Sequence, residues 1–157
     1  MPRTRRSRTV AADPATVWGV VGDPHNLPRW WPRVERVEQV TAGAFTEVLR
    51  SDRGRTIRAD HRLSQLVQTE RIEWTQLLEG TPFARVMREG VTSVTLKPID
   101  DGQGTNVTLE RRQQMIGMAR FGGGIMIRRA TAKLLDGALD ALAAVVVGSA
   151  GMTGGPD

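Results

Sequence analysis

Two apolar periods divide the chain. From Val34 to Gln114 apolar residues recur at every second position, as in strands with one buried and one wet face. From Ile125 to Val147 they recur at helical period. The first region breaks at turn signals into strands over Val34–Thr41, Phe45–Arg50, Arg55–Leu66, Glu70–Leu77, Phe83–Lys97 and Thr105–Gln114. Ala42-Gly43, Asp52-Arg53-Gly54, Glu79 to Pro82, and Asp100 to Gly104 are the turns, and Gly90 marks a bulge or bend. Short turns between alternating strands predict an antiparallel meander with one face buried. In the second region Ile127, Leu134, Leu135, Ala138, Leu139, Leu142, Val145 and Val146 share one helix face, opposite Arg129, Lys133, Asp136 and Asp140. Gly122, Gly123 and Gly124 precede this helix, and Gly148 is expected to end it.

Upstream, Arg3 to Ala11 reads as a first strand. Asp13-Pro14 opens a short helix to Val21, an N-cap followed by proline at the first helical position. Asp23-Pro24 opens a second short turn, His25 to Leu27, and Pro28 and Pro32 punctuate Arg29, Trp30 and Trp31.

At 157 residues the chain is expected to hold one domain, residues 1–147, followed by a Gly-rich, disordered tail, 148–157. No apolar run is long enough for a membrane span, so no stable membrane insertion is expected. The N-terminus is basic without an apolar stretch behind it, which is not the pattern of a secretory signal. There is no cysteine; the expected setting is the cytoplasm. Net charge is +5, but only Arg3 to Arg8 is a dense basic cluster, and no aromatic residue interleaves with it. That argues for a solvated basic strand, and no nucleic acid is expected. Two histidines and no cysteine offer no metal-ligand spacing, and neither a nucleophile elbow nor a phosphate loop is present, so no metal or cofactor is expected.

The candidate chemistry is sparse. His61 alternates with Ile57, Ala59 and Leu63, which puts an imidazole on the buried face. It is the candidate acid/base, against the alternative of a histidine hydrogen-bonded at the sheet edge. Arg128 and Thr131 interrupt the apolar stripe of the long helix. A guanidinium there needs an anionic ligand or an internal carboxylate such as Glu89 or Glu110. Trp30, Trp31 and Trp74 are candidate stacking surfaces, with one of Trp30 and Trp31 expected to face inward. Met115, Met118, Phe121 and Met126 surround the entrance to the helix, and Leu135 is its apolar centre.

The order of elements and the local residues resemble the SRPBCC superfamily. The segment from Val10 to Glu38 carries an apolar-Trp pair, Val17-Trp18, and then Asp23 through Pro28 to Trp30; Arg71 to Trp74 and Thr105 to Arg111 match in kind. This superfamily includes polyketide cyclase/dehydrase-like, START-like and birch-pollen-allergen-like proteins. The resemblance implies an α+β helix-grip fold: a curved seven-strand antiparallel sheet wrapped around the C-terminal helix, with two short helices between the first two strands. It also implies an apolar cavity between sheet and helix.

Three functions follow as expectations. One is binding of a small apolar or aromatic ligand, polyketide-like or lipid-like, with contacts from Trp30, Trp31, His61, Trp74, Met115, Phe121, Arg128, Thr131 and Leu135. The second is a cyclase or dehydratase with His61 as acid/base. The third is a lipid or quinone carrier or a partner-binding module. The oligomer is expected to be a monomer or dimer.

Overall fold

In the computed structural model, which describes residues 3–117 and 124–152, seven strands form one antiparallel sheet. They are β1 (Arg3–Val10), β2 (Val34–Glu38), β3 (Ala44–Arg50), β4 (Thr56–Val67), β5 (Arg71–Gln76), β6 (Met87–Ile99) and β7 (Gly104–Met115). Their spatial order is β1-β7-β6-β5-β4-β3-β2. The six later strands are therefore an uninterrupted meander, and β1 pairs with its last member. Helices α1 (Pro14–Val21) and α2 (Leu27–Trp30) lie between β1 and β2, and α3 (Gly124–Met152) packs across one face of the sheet. This is the helix-grip arrangement.

Local chemistry accounts for the early helices. Asp13 caps α1 by accepting the Thr16 amide at 2.7 Å, and Pro14 supplies the preset first helical φ. Asp23 does the same for the Pro24–Asn26 turn, accepting the His25 amide at 3.0 Å. The segment before α1 is pinned to β7 by the buried Thr105 hydroxyl, which donates to the Ala12 carbonyl at 2.7 Å.

The core lies between α3 and the sheet. Leu135, Ala138, Leu139, Leu142 and Val146 of α3 are buried with Trp30, Ile72, Trp74, Val94, Leu96, Val107 and Leu109. Each full-sized aliphatic or aromatic side chain in this layer contributes about 1.5–3 kcal/mol of burial. The register also explains the basic N-terminus. Arg6 pairs with Leu109 and Arg8 with Val107, so both point to the α3 side, where Arg6 meets Asp136 at 2.8 Å and Arg8 meets Asp140. Arg5 points to the other face and meets Glu110 at 3.0 Å.

Three boundaries and the position of a bulge differ most from the sequence expectation. β2 ends at Glu38 rather than Thr41, because Gln39 adopts a left-handed φ of 52° that breaks the pleat. β6 begins at Met87 rather than Phe83, since Pro82–Arg85 is a 3₁₀ turn. The bulge against β7 falls between Met87 and Glu89; Gly90 instead permits close packing, as a Cβ there would sit 3.2 Å from Met87 Cε. Finally, α3 does not stop at Gly148 but continues to Met152, because Gly148 does not take the left-handed φ of a terminating glycine. The last five residues of the expected tail lie outside the described residues.

Candidate ligand site between the sheet and the long helix

Period-two alternation and strand register decide which side chains face α3. β3 presents Phe45, Glu47 and Leu49; these pair with His61, Ala59 and Ile57 of β4. His61 pairs onward with Gln76 of β5, Trp74 with Thr92 of β6, and Thr92 with Arg111 of β7. A layer that is mostly apolar thus holds Glu47, His61, Gln76 and Arg111.

Two lobes of open space lie along this layer. One, of about 410 Å³, is lined by Trp31, Pro32, Ile57 and Leu134 and opens past the β3–β4 turn, where Arg33, Arg50, Asp52 and Arg53 stand. The other, of about 260 Å³, is lined by Ala59, Gln76, Phe83, Met87, Gln113 and Met115. Both are lined by Glu47, Leu49 and Arg111, so the carboxylate and the guanidinium stand where the lobes meet. The larger lobe alone falls in the range of small-molecule sites. An apolar cleft of about 530 Å³ on the rim, between Ile57, Pro82, Phe83 and Val86, borders both.

The polar groups are held in different ways. His61 Nε2 lies 3.0 Å from Glu47 Oε2, and both side chains are nearly inaccessible, at 3% and 4%. Phe45 stacks on the imidazole with centroids 5.1 Å apart. The other ring nitrogen, Nδ1, is buried without a hydrogen-bond partner among the described residues. Arg111 Cζ lies 5.8 Å from the Trp31 ring centroid, a cation–π arrangement. Among the described residues no carboxylate lies within 4 Å of its guanidinium. Burial pushes the Arg111 guanidinium below its ordinary pKa, and the charge of Glu47 partly opposes this. Gln76 Nε2 is buried and unpartnered as well. The junction therefore offers a braced carboxylate, a guanidinium with no carboxylate of the described residues within 4 Å, and a buried amide donor without a described partner.

The sequence-predicted residues separate into groups. Trp31 and Met115 line the lobes. Trp31 is the inward member of its pair; Trp30 packs edge-on beneath it at 5.4 Å, wholly in the core. Trp74 and Leu135 are likewise core. Thr131 is buried and lies 3.5 Å from Gln113, which lines the smaller lobe. His61 is on the expected face but behind Glu47, and neither lobe reaches it. Arg128 is a correction. It is exposed rather than inward, because the first turns of α3 lie beyond the sheet's cover; Ile125 and Met126 are more than 70% exposed there. Glu110, suggested as its partner, is engaged by Arg3 and Arg5. Phe121 and Met118 lie outside the described residues. The sequence does not single out Glu47, Gln76 or Arg111, although one further step of the Val107, Leu109 alternation reaches Arg111.

A family model described as polyketide cyclase / dehydrase and lipid transport matches residues 1–147. The chain belongs to this family. Solved structures agree on the fold. A START superfamily protein from Mycobacterium smegmatis superposes with a TM-score of 0.75 at 12% identity, covering 92% of this chain and 96% of that one. A conserved protein from Geobacillus kaustophilus gives 0.77 at 15% identity, covering 94% and 97%. The di-domain ARO/CYC BexL of the BE-7585A biosynthetic pathway gives 0.74 at 23% identity, covering 90% of this chain but 45% of that one. No curated protein matches the sequence. Within the family fold, the cavity between sheet and long helix is where this chain gathers its unusual polar groups.

Proposed function

We propose that the protein binds a small, largely apolar ligand in the two-lobed cavity between sheet and α3. The observation that carries this reading is the junction of the lobes: apolar walls from Trp31, Leu49, Ile57 and Leu134 around the polar groups Glu47 and Arg111. Apolar area supplies affinity, and a few fixed polar groups supply orientation. Family membership and the shared fold support a ligand-binding role, which fits a cytoplasmic binding or carrier protein. N-phenylnaphthylamine, a neutral apolar probe whose emission rises in dry pockets, tests it. The wild type should bind the probe, and Leu49→Trp, which fills the junction, should weaken binding by at least about tenfold while leaving the circular dichroism unchanged. Absence of probe binding to the wild type, or equal binding to the folded variant, would remove the cavity from the account.

A second reading, a cyclase or dehydratase, is favoured by the Glu47–His61 pair. Glu47 reaches the cavity, and His61 fixes its orientation from behind. A carboxylate so placed is suited to take a proton from carbon beside a carbonyl, while Arg111 faces the developing enolate oxygen. Here His61 is a positioning residue rather than the acid/base. Glu47→Gln should retain ligand and lose turnover; unchanged turnover would dismiss this reading.

A further inference from the structure

Arg111 is an unusual group to leave inside a protein. Other arginines lining the larger lobe are paired: Arg33 meets Asp52 at 2.6 Å and Arg50 meets Glu35 at 2.6 Å. Arg53 is exposed to water at the rim. Arg111 alone among them is half-buried rather than exposed, and no carboxylate of the described residues lies within salt-bridge distance of it. The carboxylate that shares its cavity, Glu47, already engages His61 through Oε2. A partly desolvated cation without a close counterion is costly, and such groups persist where a ligand completes them. The neighbouring Gln76 repeats the pattern, with a buried amide donor that no described residue accepts. A guanidinium without a close carboxylate and an unpartnered amide donor lining one lobe specify an acceptor rather than a further donor. A guanidinium matches a planar two-oxygen acceptor in particular.

Resting on the ligand-binding reading above, we infer that the ligand carries an oxyanion, a carboxylate or its enolate equivalent, which sits at the junction of the lobes against Arg111 and Gln76. Its apolar body extends past Trp31, whose ring flanks the guanidinium. The four arginines around the larger lobe outnumber the carboxylates Glu35, Glu47 and Asp52 beside them, which favours an entering anion.

Naphthoate and naphthamide, which share an aromatic body and differ in the charge of the head, separate this inference from the broader one. Each is titrated against N-phenylnaphthylamine bound to the full chain. The wild type should prefer naphthoate by about tenfold or more, the range of a hydrogen bond to a charged group. Arg111→Gln should bind both equally, with naphthamide affinity close to wild type; Arg111→Lys should keep part of the preference. Gln76→Leu should reduce the preference without abolishing it. Equal binding of the two compounds by the wild type, or a full preference surviving in Arg111→Gln, would overturn the inference while bound N-phenylnaphthylamine keeps the cavity reading intact. Loss of N-phenylnaphthylamine binding itself would remove both.

Discussion

Removing one member of the Glu47–His61 pair should cost much more than replacing both. The two side chains are almost fully buried and joined at 3.0 Å, and His61 Nδ1 already lacks a partner among the described residues. Glu47→Leu leaves the imidazole with neither nitrogen satisfied, and His61→Leu leaves a buried carboxylate without its hydrogen-bond partner. Breaking such a buried pair from one side costs about 3–5 kcal/mol. A domain of this kind has only about 5–15 kcal/mol in total. Replacing both by leucine removes the desolvation cost together with the pair, so the double variant should lie within about 1–2 kcal/mol of wild type. The coupling between the two sites should then be at least about 4 kcal/mol. Glu47→Gln keeps an acceptor for the imidazole and should cost less, about 1–2 kcal/mol. Urea unfolding followed by tryptophan fluorescence measures all five proteins, with equal m-values required for the comparison. Single substitutions whose effects add to within about 0.5 kcal/mol would refute the view that the pair is a mutually dependent unit.

Other consequences follow from the same geometry. Leu142→Ala, at the centre of the α3 core, should lose about 2–5 kcal/mol and lower the Tm by several degrees, read by calorimetry. Arg6→Ser and Arg8→Ser should each lower the Tm slightly at low salt, and the difference should vanish at about 1 M salt, where exposed ion pairs are screened. The Thr16 hydroxyl and amide hold the Asp13 carboxyl below its usual range, so the cap stabilises the fold above the unfolded value of about 4 and is lost as pH falls through the lower folded value. The Tm gap between wild type and Asp13→Ala should therefore be constant near neutrality and shrink in acid.

The fold was largely legible because its two periods are long and do not overlap. Strands β3 to β5 and the span of β7 follow from alternation and turn residues, and Asp13-Pro14 marks α1. Boundaries failed where a backbone angle outweighed pattern, as at Gln39, or where a proline turn interrupted an apparently continuous strand, as at Pro82. The site was less legible. Alternation placed His61 on the correct face, but no local signal pairs it with Glu47, fourteen residues away on a neighbouring strand. Register across β3 and β4 makes that pair. Arg111 lies within a strand stretch of mixed charge, Glu110 to Arg112, and only the curl of the sheet brings it beside Glu47. Arg128 shows the opposite error. Its helical angle is right, but an angle does not say how far along α3 the sheet extends.

The four tryptophans provide the most direct test of the cavity. Trp31 lines the larger lobe, Trp30 and Trp74 are packed in the core, and Trp18 lies on α1 away from both lobes. The indole N–H resonances, assigned by single Trp→Phe substitutions, report each separately during titration with N-phenylnaphthylamine. The resonance of Trp31 should move to saturation while that of Trp18 stays in place. Saturable binding that moves Trp18 and leaves Trp31 unchanged would put the ligand elsewhere and contradict the account.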